Sequence, residues 1–419
     1  MEISALGAVL GLVLAIVLIL KKVEPTYAMI FGAVFGGICG GGGLINTVAY
    51  MIEGVQGIVS AIVRIVTAGI LAGVLIETGA AAKIAETIIS KLGNKRSLLA
   101  MMLATWCLTA VGVFGDVAVI TVSPIAIQLA KRSGYKKLGV LMAMIGGVKA
   151  GNVMSPNPNA IAASEAFGVP LTSVMMTGVI PAIAALLTTA FLARSLAYKG
   201  TEFNDSETRV SGEGLPSAWA AIAGPAVTIL LLLLRPICNI TIDPLIALPA
   251  GGLVGVAAMG KVKYTSSYFT SGLKKMSGVA MLLIGTGTLS GIISNSNLKD
   301  VIIYGIEVMG LPGFLLAPIS GTLMGAATAS STAGTTLASQ IFGPTVMVSG
   351  ISALAAAVMT HTGSFVFDGL PHGSFFHVSA GAVNMEISER LKLIVYESLN
   401  GVVMVIASVL FYGIFRIVG

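Results

Sequence analysis

Long apolar runs separated by short charged clusters set the rhythm of this chain. Ile3 to Leu20 is the first run, and Lys21-Lys22 follow it at once. A spanning helix needs about 20 mostly apolar residues, and comparable runs fall near 26–48, 55–76, 171–195, 218–236, 243–260, 276–293 and 391–415. Two more, 138–167 and 350–383, are interrupted by polar residues with proline or glycine. Two close pairs, 97–113 with 117–130 and 313–327 with 332–348, have arms that are marginal for crossing. Such arms suit re-entrant hairpins, whose backbone is tolerated at membrane depth where it lines a cavity. The pattern predicts ten crossings and two hairpins.

Composition agrees and excludes the alternatives. Of 419 residues, 56% are hydrophobic and 10% charged, against roughly 25% charged in a soluble domain. Such a chain cannot cover a soluble surface with polar groups, which excludes a soluble enzyme, a disordered protein and a nucleic-acid binder. Cys39, Cys107 and Cys238 lie in or against apolar runs and read as packing residues rather than a disulfide or metal framework. In the first run the charge lies behind the apolar stretch, so a retained helix with its N-terminus outside is expected, not a secretory signal. Lys83, Lys91, Lys95, Arg96, Lys131, Arg132, Lys136, Lys137, Arg194, Lys199, Arg209, Lys261, Lys263, Lys274, Lys275, Arg390 and Lys392 then fall on the side of Lys21. Glu53, Asp243, Asp300 and Glu307 fall opposite, with Lys299 as the main basic exception. By the positive-inside rule the first side is cytoplasmic.

The two halves repeat. Residues 76–93 overlay 293–310, ending on Gly93 and Gly310, and Glu24-Pro25 overlays Asp243-Pro244. The hairpin around Asp116 overlays Thr328–Thr336, and the break at Asn152–Asn159 overlays Gly363–Ser374, all at an offset of about 217. The 76–96 segment holds Lys83, Lys91, Lys95 and Arg96, whereas its counterpart holds one lysine and two acids. Lys131, Arg132, Lys136 and Lys137 follow the first hairpin, and no charge follows the second through Ser352; with five crossings per half, an odd number, the copies run in opposite senses. The fold class expected is an all-α polytopic membrane protein of two inverted repeats, each of five transmembrane helices with a re-entrant hairpin and an interrupted helix. Residues 1–200 form the first repeat, 201–216 a cytoplasmic linker and 217–419 the second. Inverted repeats with helices broken near mid-membrane are an architecture of secondary transporters.

Chemistry concentrates at the interruptions. Lys149 to Asn159 contains Asn152, Ser155, Asn157 and Asn159 around Pro156 and Pro158, which remove two amide donors and break the helix. Thr360 to Ser374 contains Asp368 and His372 on either side of Gly369-Leu370-Pro371, and His361, His372 and His377 are the three histidines of the chain. Their spacing matches no zinc signature, whereas intramembrane ionisable groups point to function. The hairpin tips offer Asp116 and the run Ser330, Ser331 and Thr332. Hydroxyls and free amides at helix starts are donors to a carboxylate. Arg64 and Arg235 are expected to pair with acids or to snorkel. Gly255 to Lys261 imitates a phosphate-binding loop but ends an apolar helix and lacks the following hydroxyl.

At these breaks the chain resembles a known family. Phe367-Asp368-Gly369-Leu370-Pro371-His372-Gly373-Ser374 is similar to the Asp-x-Leu-Pro-His segment of gluconate:proton symporter family permeases. Gly325 to Thr336 resembles that family's small-residue Ser/Thr stretch. Length, paired halves and hairpins fit the wider ion transporter superfamily. The resemblance implies proton-coupled uptake of a small organic anion, such as a sugar acid, hydroxy acid or carboxylate, across the bacterial inner (plasma) membrane. It also implies an elevator-like motion against helices 3–48 and 218–260, which are the expected surface for a homodimer. Ser155 to Asn159 lacks the histidine of gluconate permeases in that region, so the implication extends to an organic anion rather than to gluconate in particular.

The expected site therefore holds the carboxylate on Ser155, Asn157, Ser330, Ser331 and Thr332, with Asn152 and Asn159 serving hydroxyls and His372 beside them. A bare carboxylate in a low dielectric is costly, so a proton, or sodium, must accompany it. Asp116, Asp368 and His372 are the expected ion carriers, and no resident cofactor or metal is called for. The rival readings are a sodium/proton antiporter, a sodium-coupled carboxylate transporter and a non-transporting membrane scaffold.

Overall fold

The computed structural model describes residues 3–92, 96–203, 214–308, 312–348 and 350–418. Lys95, Gly93, Gly310 and the 204–213 part of the linker, including Arg209, thus lie outside the described residues. The first half contains α1 (Ala5–Leu20), α2 (Pro25–Cys39), α3 (Gly43–Gln56), α4 (Val59–Glu77), α5 (Ala80–Leu92), α6 (Ser97–Ala110), α7 (Gly115–Ser133), α8 (Lys137–Asn152), α9 (Pro158–Ala166), α10 (Leu171–Thr177) and α11 (Val179–Leu196). The second contains α12 (Ala218–Cys238), α13 (Pro244–Ala258), α14 (Thr265–Ser294), α15 (Leu298–Val308), α16 (Leu316–Thr328), α17 (Ser331–Met347), α18 (Ala353–Gly363), α19 (Ser374–Ala382), α20 (Ile387–Arg390) and α21 (Ile394–Ser408). Among the described residues there is no strand, only one isolated bridge between Ile3 and Ser296.

Local chemistry explains several boundaries. Pro25 and Pro244 open α2 and α13 at the first helical position, where a missing amide hydrogen costs nothing. The acid before each caps it: Glu24 accepts from the Thr26 amide at 2.6 Å and Asp243 from the Leu245 amide at 2.8 Å. The run read as one crossing over 26–48 turns instead between α2 and α3. Gly41 and Gly43 sit there at φ +90° and +66°, a left-handed backbone that ends the helix.

Five helical stretches of the described residues are long and apolar enough to cross a membrane: 59–77, 171–196, 218–238, 262–294 and 387–414. The remaining expected crossings are made of shorter apolar helices, or of pairs across a break, α8 with α9 and α18 with α19. Both expected hairpins are present as helix pairs that turn back at 111–114 and 329–330.

The helices sort into two layers. In one, α1, α2, α3 and α4 pack with α12, α13 and α14. Glycine permits the close approach: a Cβ on Gly7 would lie 2.2 Å from Gly40 Cα, and one on Gly11 2.5 Å from the Gly32 carbonyl oxygen. In the other layer, α6 to α11 interleave with α16 to α21. Its centre is α8, buried from Lys137 through Gly151, as a helix apolar on every side must be. Contacts here cross between the halves: α9 lies on α17 and α18, α7 on α19, and α11 on α21.

Candidate functional site

The two hairpin tips and the two breaks meet around a cavity of about 190 Å³. Four helices begin at its wall, for Gly115, Pro158, Ser331 and Ser374 open α7, α9, α17 and α19 and all line it. The first turn of a helix leaves amide N–H groups unpaired and carries the positive end of the helix dipole. Four such ends on one cavity favour an anion. The sequence builds each start locally. Asn157 caps α9 by accepting from the Ala160 amide at 3.0 Å, with Pro158 at the first helical position. Ser330 caps α17 by accepting from the Ala333 amide at 3.3 Å. Gly112 at φ +95° turns one hairpin tip, and Ala329, at φ 47°, turns the other in a conformation uncommon for a residue with a side chain.

Of the residues singled out from sequence, Asn152, Asn157, Asn159, Ser330, Ser331, Thr332, Asp116 and Asp368 all line this cavity. Their polar atoms are differently engaged. Asn157 uses both ends locally, its Nδ2 donating to the Asn152 carbonyl at 2.8 Å while Oδ1 caps α9. Asn159 accepts from Thr332 Oγ1 at 2.6 Å, joining the halves, and its buried Nδ2 has no partner. Asp116 is exposed, with its carboxylate accepting from the Val117 amide at 2.8 Å.

Two of the expected residues are elsewhere. Ser155 is fully buried beneath the break and does not line the cavity, because its hydroxyl turns back toward the Asn152 carbonyl at 3.4 Å. His372 is drawn toward α16, with Nε2 3.1 Å from the Ala326 carbonyl oxygen. It lines a neighbouring cavity of about 640 Å³ that shares Ala329, Ser330, Thr332 and Ser374 with the first. Lys22 and Glu24 stand on the rim of that second space. His361 is buried in α18 with its ring 5.2 Å from that of Phe365, and neither cavity reaches it.

Lys149 is the group that sequence reasoning passed over. It lines the cavity from α8, its Nζ 2.7 Å from Asp368 Oδ1, with both side chains buried. The ammonium also donates to the carbonyls of Phe365 at 2.6 Å and Glu397 at 3.3 Å. A signal was present in the chain: Lys149 is the only Lys or Arg between Lys137 and Arg194, and a lone intramembrane charge is a functional candidate. Below it a second buried pair joins Arg390 to Glu397, with Arg390 Nε donating to Ser379 Oγ at 3.1 Å. Arg390 is therefore not the cytoplasmic loop cation that its sequence position suggests; it is fully buried.

A separate ionic cluster lies apart from the cavity. Arg64 of α4 meets Glu165 of α9 at 2.9 Å and Asp243 at 2.6 Å, tying the two layers together. The guanidinium holds the Asp243 carboxyl below the usual carboxylate range, its hydrogen bond outweighing the opposing effect of burial.

Comparison with known proteins matches this arrangement to transporters. Residues 3–418 match the family described as GntP family permease. A Haemophilus influenzae protein described as an uncharacterized transporter is 58% identical over 374 residues, covering 89% of each chain. The gluconate permease of Pseudomonas aeruginosa is 24% identical, covering 81% of each. The YdaH transporter of Alcanivorax borkumensis shares the fold, with a TM-score of 0.65 at 15% identity over 89% of this chain and 90% of that one. The chain belongs to the GntP permease family, and is thus a multi-pass transporter of the bacterial inner membrane rather than an enzyme.

Proposed function

We propose that this permease moves a small organic anion, a sugar acid, hydroxy acid or other carboxylate, by symport with a proton. The observation that supports this most is the convergence of four helix starts on one small cavity. Its volume of about 190 Å³ lies below the roughly 300–1,000 Å³ of drug-sized sites, which suits a molecule of a few carbons. Lys149 and the free Asn159 amide supply donors, and Asp368 and Asp116 supply carboxylates able to hold a proton. Sodium in place of the proton is the alternative within this reading. A bare sodium/proton antiporter is disfavoured because four helix starts and two polar breaks present more donor surface than an ion alone needs.

In this reading the halves are inverted repeats, 1–200 and 217–419, joined by 201–216. Element order supports it: α7, α8 and α9 begin at 115, 137 and 158, while α17, α18 and α19 begin at 331, 353 and 374, each 216 positions later. The larger cavity, rimmed by Lys22 and Glu24, is the cytoplasmic approach, and Arg64–Glu165 fastens the outer side. The layer containing α6 to α11 and α16 to α21 moves as an elevator against the other. A homodimer forms through that other layer, where Phe31, Leu44, Ile45 and Trp219 are outward and exposed. Light scattering of the detergent-solubilised protein tests the dimer.

Counterflow in proteoliposomes, screened over gluconate, hydroxybutyrate, lactate, citrate and dicarboxylates, tests the function. Exchange of at least one acid, stimulated by a proton gradient, is the expected result. Sodium-for-proton exchange with no organic substrate would instead establish the antiporter.

A further inference from the structure

The buried charges around the cavity sum to zero, and that balance assigns a coupling device to one pair. Lys149 and Arg390 are each buried against a single carboxylate, Asp368 and Glu397. The two pairs differ in one respect. Arg390 is locked, with two nitrogens on Glu397 and a third on Ser379, and neither it nor Glu397 lines the cavity. Lys149 and Asp368 both line it, so their ion pair borders the cavity itself. One pair is therefore structural, and the other is open to a competitor.

We infer that Lys149 is the receptor for the substrate carboxylate, and that a proton on Asp368 releases it by exchanging one anionic partner for another. The inference rests on the organic-anion reading above and adds to it a stoichiometry. With the cavity empty, Lys149 and Asp368 neutralise each other. A substrate carboxylate arriving alone leaves one uncompensated negative charge in a water-poor site, and a proton arriving alone leaves one uncompensated positive charge. Both are costly in a low dielectric. Proton and monocarboxylate together restore neutrality, with the ammonium facing the substrate and Asp368 carrying an O–H. Only the empty and the doubly loaded forms are then free of net buried charge. The only covalent change is O–H formation at Asp368 with a proton taken from water on one side, and its return to water on the other.

Other charged groups facing Asp368 do not upset the count. Glu397 and Arg390 approach from α21 and α20 as a pair, and a Cβ on Gly369 would lie 2.3 Å from Glu397 Oε2. Asp116, across the cavity on α7, is exposed and hydrated, so its charge is screened. His372, on the same break, faces the larger cavity with its ring at the Ala326 carbonyl, and His361 on α18 is closed off from both spaces.

Proteoliposomes loaded with D-gluconate, and in parallel with lactate, test this. For the wild type, accumulation should follow the pH gradient with one proton per monocarboxylate and should not respond to an imposed potassium-diffusion potential. Asp368→Asn, which cannot take up a proton, should lose uphill accumulation and should remove the pH dependence of whatever counterflow remains. Lys149→Met/Asp368→Asn, which buries no charge there, should fold and lose counterflow by tenfold or more. Uphill accumulation by Asp368→Asn, or wild-type uptake driven by membrane potential, would overturn the inference while leaving the organic-anion reading intact. A wild type that exchanges none of the screened acids would overturn both.

Discussion

Asn157 and Asn159, two residues apart on one break, separate structure from function at the level of single side chains. Asn157 spends both polar ends on its own chain, capping α9 and holding the Asn152 carbonyl. Asn157→Ala should cost about 1 kcal/mol, the usual worth of a lost cap, seen as a lower melting temperature. Asn159 keeps a buried Nδ2 free at the cavity. Asn159→Ala should raise the half-saturation constant for uptake by roughly tenfold, equivalent to ~1–3 kcal/mol for a buried hydrogen-bonding group. Equal effects on melting and on uptake in both variants would show that neither faces the substrate. Asp243 gives a pH test. Its carboxyl is depressed by Arg64, so the link stabilises the fold above the unfolded pKa of about 3.9 and is lost as pH falls through the lower folded value. Asp243 is more than a third exposed, 37% of its side chain, so the effect is at most about 1 kcal/mol. Asp243→Asn should melt lower than wild type near neutral pH and alike in strong acid. At this scale the polar residues of the breaks are legible because polar groups at membrane depth stand out against apolar neighbours. Lys149 is less legible, because a lysine beside an Asn/Pro break reads as part of a loop until Asp368, 219 positions away, is seen against it.

At the scale of elements, helix starts and breaks follow from proline, asparagine and serine chemistry, and both hairpins turn between short apolar arms, at 111–114 and at 329–330. The division of 26–48 was less legible. Its Cys39 to Leu44 stretch is apolar or glycine throughout, so no polar residue announces the turn that Gly41 and Gly43 make. Which face of Ser155 or His372 meets the cavity depends on tertiary contacts with the Asn152 and Ala326 carbonyls, which no local pattern encodes. Close packing gives a further test. A Cβ on Gly334 would fall 2.6 Å from Gly325 Cα, so the arms of the second hairpin cannot both gain a side chain there. Gly334→Ala should destabilise by roughly 1–3 kcal/mol, as overpacking does, and slow uptake because Ser330 to Thr332 sit at the tip of that hairpin. Unchanged melting and uptake would show that the arms can part freely.

For the whole molecule, the opposed charge pattern of the halves makes a topological statement. A cysteine at Arg132, exposed after the first hairpin, should label from the cytoplasm, and one at Asp300, exposed on α15, from outside. Labelling of both from one side would remove the inverted arrangement and the access route assigned to Lys22 and Glu24. In the proposed mechanism the helix starts and Lys149 together select a carboxylate. Competition for uptake by each screened acid and by its uncharged amide, compared in the same proteoliposomes, measures that selection directly. The transported acid should compete, and its amide, equal in shape but without charge, should not. An amide that competes as well as its acid would contradict that selection.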